Sequence, residues 1–124
     1  MDKGIKIKSR EFAAKVVLLH KQLSARKKET VMSEELLRSG AGVGAELSMA
    51  ECALNMNDKI ARAYRALQNC AVAKYWLELL NDTEYLTEFE FNDTLGECDE
   101  LGKLLLVLIK DLRAGSQGSK QASG

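Results

Sequence analysis

The chain contains no proline, a single histidine, a single tryptophan and few aromatic residues. Without proline, nothing in the sequence obliges a helix to stop. The apolar residues, chiefly Leu, Ala and Val in long uninterrupted segments, favour helices over a sandwich of many turns, so an all-α fold is expected. His20, the one histidine, cannot join a second imidazole in a zinc site within one chain. It also excludes a di-iron bundle, which needs Glu-x-x-His on two helices. It lies beside the apolar face of its helix and reads as a packing residue. The three cysteines, Cys52, Cys70 and Cys98, include no C-x-x-C pair, and each falls in an apolar helical pattern, as buried reduced thiols do. No run approaches the roughly 20 apolar residues of a membrane span, and Asp2 and a Lys-rich stretch follow Met1 where a signal peptide would be apolar. A cytoplasmic protein without a membrane partner is expected.

What is present starts with size and charge. At 124 residues the chain suits one domain with a real core. Its formal charge is zero, yet residues 1–28 hold nine Lys or Arg against Asp2 and Glu11, a net of +7, while residues 78–100 hold nine Asp or Glu and no Lys or Arg, a net of −9. Attraction between the two segments, within a bundle or across subunits, cancels much of the nucleic-acid signal that a basic segment would otherwise give.

Apolar spacing at a 3.6-residue period gives four helices. The first runs from about Ser9 to Arg26, with Phe12, Val16, Leu19 and Leu23 on one stripe and Arg26, Lys27 and Lys28 complementing its C-terminal dipole. The second runs from about Ser33, read as an N-cap before Glu34 and Glu35, to Leu54. A break near Asn55, Asn57 and Asp58 starts the third, which carries Ile60, Ala63, Leu67, Cys70, Ala73, Trp76, Leu77 and Leu80. Thr87-Glu88-Phe89-Glu90 has capping-box spacing and opens a fourth to about Arg113. This organisation comprises a basic N-terminal extension at 1–8, a bundle at 9–113 and a flexible polar tail at 114–124, outside the fold.

The fourth helix carries an inward stripe of Phe91, Leu95, Cys98, Gly102, Leu105, Ile109 and Leu112, with steps of four and three. Leu104, Leu106 and Val107 lie off that stripe, so LLLVLI at 104–109 is apolar nearly all round. A bundle helix should keep one polar face, so another subunit is expected to cover this segment. Leu18, with Ala14 and Ala25, gives a weaker echo on the first helix. The expected oligomer interface is therefore Leu104, Leu106, Val107 and Leu18.

No constellation carries recognisable catalytic chemistry. Gly40, Gly42 and Gly44 lack the lysine of a phosphate-binding loop and a preceding strand, and read as close helix packing. Glu97, Asp99 and Glu100 lie outside the apolar seam and read as a solvated face, not a hard-cation site. Neither catalytic residues nor cofactor or metal ligands are expected, and no small-molecule substrate is identified. An enzymatic alternative would use the seam around Glu46 and Arg38. The nucleic-acid candidates are Arg10, Lys21, Arg26, Lys27 and Lys28, which symmetry could multiply into a basic ring.

The order FAAKVVLLHKQL (Phe12 to Leu23), ELLRSGAGVGAEL (Glu35 to Leu47), YWLELL (Tyr75 to Leu80) and an apolar last helix containing Glu100-Leu101 resembles the four-helix-bundle family often encoded within intervening sequences of bacterial 23S ribosomal RNA genes. The match covers about residues 9–113. The resemblance implies a left-handed, antiparallel up-and-down bundle in a symmetric homopentameric ring, cytoplasmic, with no assigned enzymatic activity. In architecture alone the chain is also similar to the accessory proteins of diversity-generating retroelements, five-fold bundles that bind nucleic acid; those tend to be strongly basic and this chain is neutral. It departs from the family pattern at Glu35, Glu46, Met49, Asn69 and Val72, so no site is carried over onto those positions. The expected function is a non-enzymatic assembly or interaction module acting beside RNA or a ribonucleoprotein. The alternative is a direct, sequence-independent nucleic-acid-binding protein.

Overall fold

The structure, a computed structural model, describes residues 3–123, with side chains to residue 116. Four helices follow in order: α1 (Lys3–Lys27), α2 (Val31–Glu51), α3 (Met56–Asp82) and α4 (Glu88–Ser123). There is no strand among the described residues. Each helix packs on its neighbours in the chain and α1 also packs on α4, while among the described residues the backbones of the diagonal pairs do not come close.

The stripe on α1 shows why the chain folds this way. Ile5, Ser9, Phe12, Val16, Leu19 and Leu23 are its buried residues, spaced alternately by four and three so that they share one face. Ile5 continues that stripe one step before Ser9 and is 2% exposed. The helix therefore begins at Lys3, earlier than the expected Ser9, and takes in residues 3–8 of the segment expected to be an extension; Met1 and Asp2 lie outside the described residues. At the other end α4 runs past Arg113 to Ser123. Residues 114–123 of the expected tail continue the helix, since an established helix adds residues cheaply and no proline intervenes; Gly124 lies outside the described residues.

The core gathers Phe12, Val16, Leu36, Val43, Leu47, Leu77, Leu80, Leu101 and Leu105, all essentially sealed from solvent. Cys98 and Ile109 of the expected α4 stripe are buried with Leu105, but Thr94 and Leu101 are buried while Gly102 is only half-buried. Buried hydroxyls turn back on their own helices. Ser9 donates to the Lys6 carbonyl, Ser33 to Glu29, Ser39 to Glu35 and Thr94 to Glu90, so these hydroxyls enter the core without an orphaned donor.

The helix ends follow from local chemistry. The start of α2 corrects the sequence expectation: Ser33 lies buried inside the first turn, the N-cap position is Thr30, which makes no side-chain cap bond, and the capping side chain is that of Glu29 before it. Its carboxylate accepts from the Met32 and Ser33 backbone N–H groups at 2.8 and 2.9 Å. A carboxylate here satisfies two orphan donors and sits at the positive end of the helix dipole. Asn55 caps α3 by accepting from the Asp58 N–H at 2.8 Å. The capping box of α4 is complete, with Glu90 accepting from Thr87 N–H at 2.8 Å and Thr87 from Glu90 N–H at 3.1 Å. The end of α3 is a Schellman motif: Tyr85 N–H reaches the Leu80 carbonyl, Glu84 N–H the Asn81 carbonyl, and Glu84 takes a left-handed φ of 67°.

Candidate interaction surfaces

Glycine sets the distance at which α2 meets its neighbours. A Cβ on Gly40 would stand 3.2 Å from Val16, one on Gly44 3.5 Å from the Ser9 hydroxyl, and one on Gly42 2.7 Å from the Asn69 amide. Gly40 and Gly44 thus face α1, and Gly42 faces α3. All three lie inside α2, where interior N–H groups serve the helix ladder, so the packing reading describes this segment and the phosphate reading does not. Asn69, one of the family departures, fills the space that Gly42 leaves.

The charged segments sort into paired and unpaired groups. Lys15 of α1 binds Asp93 and Glu97 of α4, Lys8 binds Glu100, and Lys6 binds Glu51 of α2. Hydrogen bonding to Asp93 raises the Lys15 ammonium above its ordinary range against a cost of desolvation, with Glu97 adding to the rise. The hydrogen bond from Lys6 holds the Glu51 carboxyl below the usual range. Attraction between the basic and acidic segments is therefore built into the α1–α4 contact. Glu97, Asp99 and Glu100 do not converge on a cation site, because each answers a different lysine: Lys15, Lys74 and Lys8.

The remaining cations are the nucleic-acid candidates. Arg10, Lys21, Arg26, Lys27 and Lys28 are exposed, and none meets an acid at ion-pair distance among the described residues. Arg26 and Lys27 end α1, and Lys28 follows in the turn with a left-handed φ of 55°. These three form one cationic end, where a small cleft also takes in Tyr85, Thr87 and Glu90. Arg10 stands about 24 Å away along the helix, in a groove against α2 beside Lys6 and Glu51. One chain does not bring all five together.

The apolar candidates also separate. Leu106 and Val107 are 48% and 55% exposed and Leu18 is 59% exposed. Leu104, by contrast, packs against the core, because it lies closer to the buried side than Leu106 does. Leu106 borders a groove between α3 and α4 with Leu67 and Ala71. Leu18 shares another groove with Phe89 between α1 and α4. Sequence reasoning missed Phe89, 76% exposed, and a third apolar stripe on α3 made by Tyr64, Val72 and Tyr75. Its signal was present in the spacing of 64, 72 and 75, which repeats near multiples of 3.6. Tyr75 meets Trp76 edge to face with ring centres 5.1 Å apart, an arrangement aromatic quadrupoles favour.

The seam considered for enzymatic chemistry is split. Arg38 pairs with Glu35 on its own helix, and Glu46 pairs with Arg62 of α3 at 3.4 Å. Two of the family departures, Glu35 and Glu46, thereby take ion-pair partners, while Met49 and Val72 face solvent. His20 is half-buried and its Nδ1 lies 2.7 Å from the Ser33 hydroxyl, which ties α1 to the first turn of α2. Cys70 and Cys98 are buried, but Cys52 is exposed. It falls just past the end of α2, where its N–H closes on the Met49 and Ala50 carbonyls, so the helical pattern no longer applies to it. No described helix is long and apolar enough to cross a membrane.

Relatives agree with this architecture. A crystal structure of a protein with unknown function from the S23 ribosomal protein family of Bacteroides thetaiotaomicron is similar at 42% identity, with a TM-score of 0.84, over 86% of this chain and 98% of that one. No curated protein matches. The model of the 23S rRNA-intervening sequence proteins matches residues 2–106, and with that span of the four-helix fold in common the chain belongs to that family.

Proposed function

We propose that the chain is a non-enzymatic assembly module: an antiparallel up-and-down bundle that forms a symmetric homo-oligomer, with five copies favoured, and acts beside RNA or a ribonucleoprotein. Support for the antiparallel course comes from the pairs across α1 and α4, where Lys8 meets Glu100 and Lys15 meets Asp93, and across α2 and α3, where Gly42 meets Asn69 and Glu46 meets Arg62. In both, numbering falls along one helix as it rises along the other.

The observation that carries the assembly reading is the exposure of Leu106 and Val107 on a helix segment that is apolar all round. Leu18 and Phe89 form a second apolar patch on the other flank of α4. Two unlike patches suit head-to-tail contacts, which close into rings, better than the self-complementary contact of a two-fold dimer. Light scattering tests this reading. The expected mass is near five chain masses of 13.7 kDa, and Leu106→Glu should lower it by placing a charge in a dry interface. A monomer, or an unchanged mass in the variant, would reject the interface.

A second reading rests on the unpaired cations Arg26, Lys27 and Lys28. In a ring, copies of this cationic end would form a basic rim that binds nucleic acid through phosphates, without reading sequence. Lys21 and Arg10 would extend it along α1.

A further inference from the structure

One pair of nucleophilic side chains lies in the α3–α4 groove that Leu106 borders. Cys70 of α3 and Cys98 of α4 are free thiols, 4% and 1% exposed, with their sulfurs 3.8 Å apart. Each thiol also reaches the other residue's backbone carbonyl, Cys70 Sγ to Cys98 O at 3.3 Å and Cys98 Sγ to Cys70 O at 3.5 Å. The two sulfurs are thus already in van der Waals contact across a helix pair. A disulfide needs them at about 2.05 Å, so closing the gap requires rotation about the two Cα–Cβ bonds and a small approach of the helices. Gly102 leaves room for this, since even an added Cβ there would only touch Cys70 Sγ at 3.7 Å.

In a single copy of the chain the pair is also reachable. Both cysteines lie in the wall of the open α3–α4 groove of about 410 Å³. The ion pair of Lys74 with Asp99, at 3.0 Å, and Lys103 stand on the same groove. Its volume admits a molecule the size of hydrogen peroxide many times over.

We propose that Cys70 and Cys98 are a dithiol oxidation site, which a hydroperoxide converts to a disulfide pinning α3 to α4. The two thiols are not equivalent. The contact between the two sulfurs, in which either S–H can donate, holds the Cys70 thiol below its ordinary range against burial and Asp99, and with burial it pushes Cys98 up. Cys70 is the more exposed of the two and Gly102 leaves space beside its sulfur, so Cys70 is the attacking thiolate. Its sulfur takes the near oxygen of the peroxide, the O–O bond breaks, and the far oxygen leaves as water with the proton given up by Cys70. Cys98 Sγ then attacks the sulfenic sulfur of Cys70, and its proton leaves with the hydroxyl as a second water. Two thiols lose two electrons and two protons, and the peroxide is reduced to two waters.

The test uses the full chain carrying Cys52→Ser, which removes the exposed thiol and leaves the core intact. After hydrogen peroxide treatment, the intact mass should fall by about 2 Da. A peptide linking Cys70 to Cys98 should appear, neither residue should alkylate after denaturation, and dithiothreitol should reverse all three. A Cys98→Ser chain, which keeps a donor beside Cys70 but no second thiol, should hold a dimedone-trappable sulfenic acid at Cys70, whereas Cys70→Ser should leave Cys98 unlabelled. Full alkylation of both thiols after peroxide treatment, oxygen addition without a cross-link, or disulfides between chains in place of the internal one would each overturn the proposal.

Discussion

Gly40 lies so close to α1 that a Cβ added to it would sit 3.2 Å from Cγ2 of Val16 and 3.4 Å from the Phe12 ring. Both neighbours are sealed in the core and neither can swing away as a surface lysine would. Gly96 of α4 is the opposite case, exposed and with nothing within 4 Å of its added Cβ. In a helix interior, alanine is favoured over glycine by about 0.5–1 kcal/mol. Gly96→Ala should therefore stabilise the fold by about that amount. Gly40→Ala should lose the gain to overpacking and destabilise by about 1 kcal/mol or more. Urea unfolding of the two variants checks this, and a stabilised Gly40→Ala would show that α1 and α2 are not held at their contact by the glycine.

Glu84 carries a left-handed backbone at the position where helices commonly end on glycine. Its side chain is exposed, so replacing it removes no core packing. Relief of the left-handed conformation should make Glu84→Gly more stable by about 1 kcal/mol, after allowing for the greater freedom of glycine in the unfolded chain. Thermal unfolding gives the measurement. A lower melting temperature would mean that Glu84 contributes a contact beyond its backbone.

Helical periodicity identified the inward faces more reliably than it placed the helix ends or the contacts between faces. The α1 stripe, the break near Asn55, the Thr87–Glu90 box and the packing glycines were all legible, because each depends on residues within a turn or two. The Glu29 cap was not, since a serine at position 33 offers the commoner signal and only the tertiary burial of Ser33 shows that the helix starts earlier. Ile5 was one step along a stripe already drawn, and was lost to the surrounding lysines. On α4 the period left Gly102 and Leu101 nearly equivalent, and packing chose the larger apolar side chain. The meeting of Cys70 with Cys98, and the sorting of the lysines into paired and unpaired, depend on register between helices. Spacing along one helix does not encode that register.

Lys15 gives the fold a pH dependence of known sign. Its ammonium lies above the ordinary lysine value of 10.5, held there first by Asp93 and then by Glu97. A group whose folded value is raised contributes stability in full below the unfolded value, and loses it as pH rises through the folded one. The stability difference between the native chain and Lys15→Met should therefore be constant across neutral pH and shrink as pH passes upward through 10.5. Urea unfolding at neutral pH and at successively higher alkaline pH measures it. A difference that instead grew with pH would mean that Lys15 is better bound when neutral, against the two carboxylates beside it.

The cationic end of α1 makes the sharpest separation between the two functional readings. Arg26, Lys27 and Lys28 are adjacent and exposed and meet no acid at ion-pair distance among the described residues, whereas Arg10 is remote from them. If this end binds RNA or DNA, replacing all three with glutamine should abolish binding or flatten its dependence on salt, by about 0.7 in the log–log slope for each phosphate of a single strand no longer neutralised. Arg10→Gln alone should leave that slope nearly unchanged. Fluorescence anisotropy with a short mixed RNA, repeated over a range of salt, reads both quantities. Equal weakening in the two variants would place the binding surface along the length of α1 and not at its end. Binding that survives the triple change would remove the basic rim and leave assembly through α4 as the reading to pursue, because Leu106 and Val107 owe nothing to these charges.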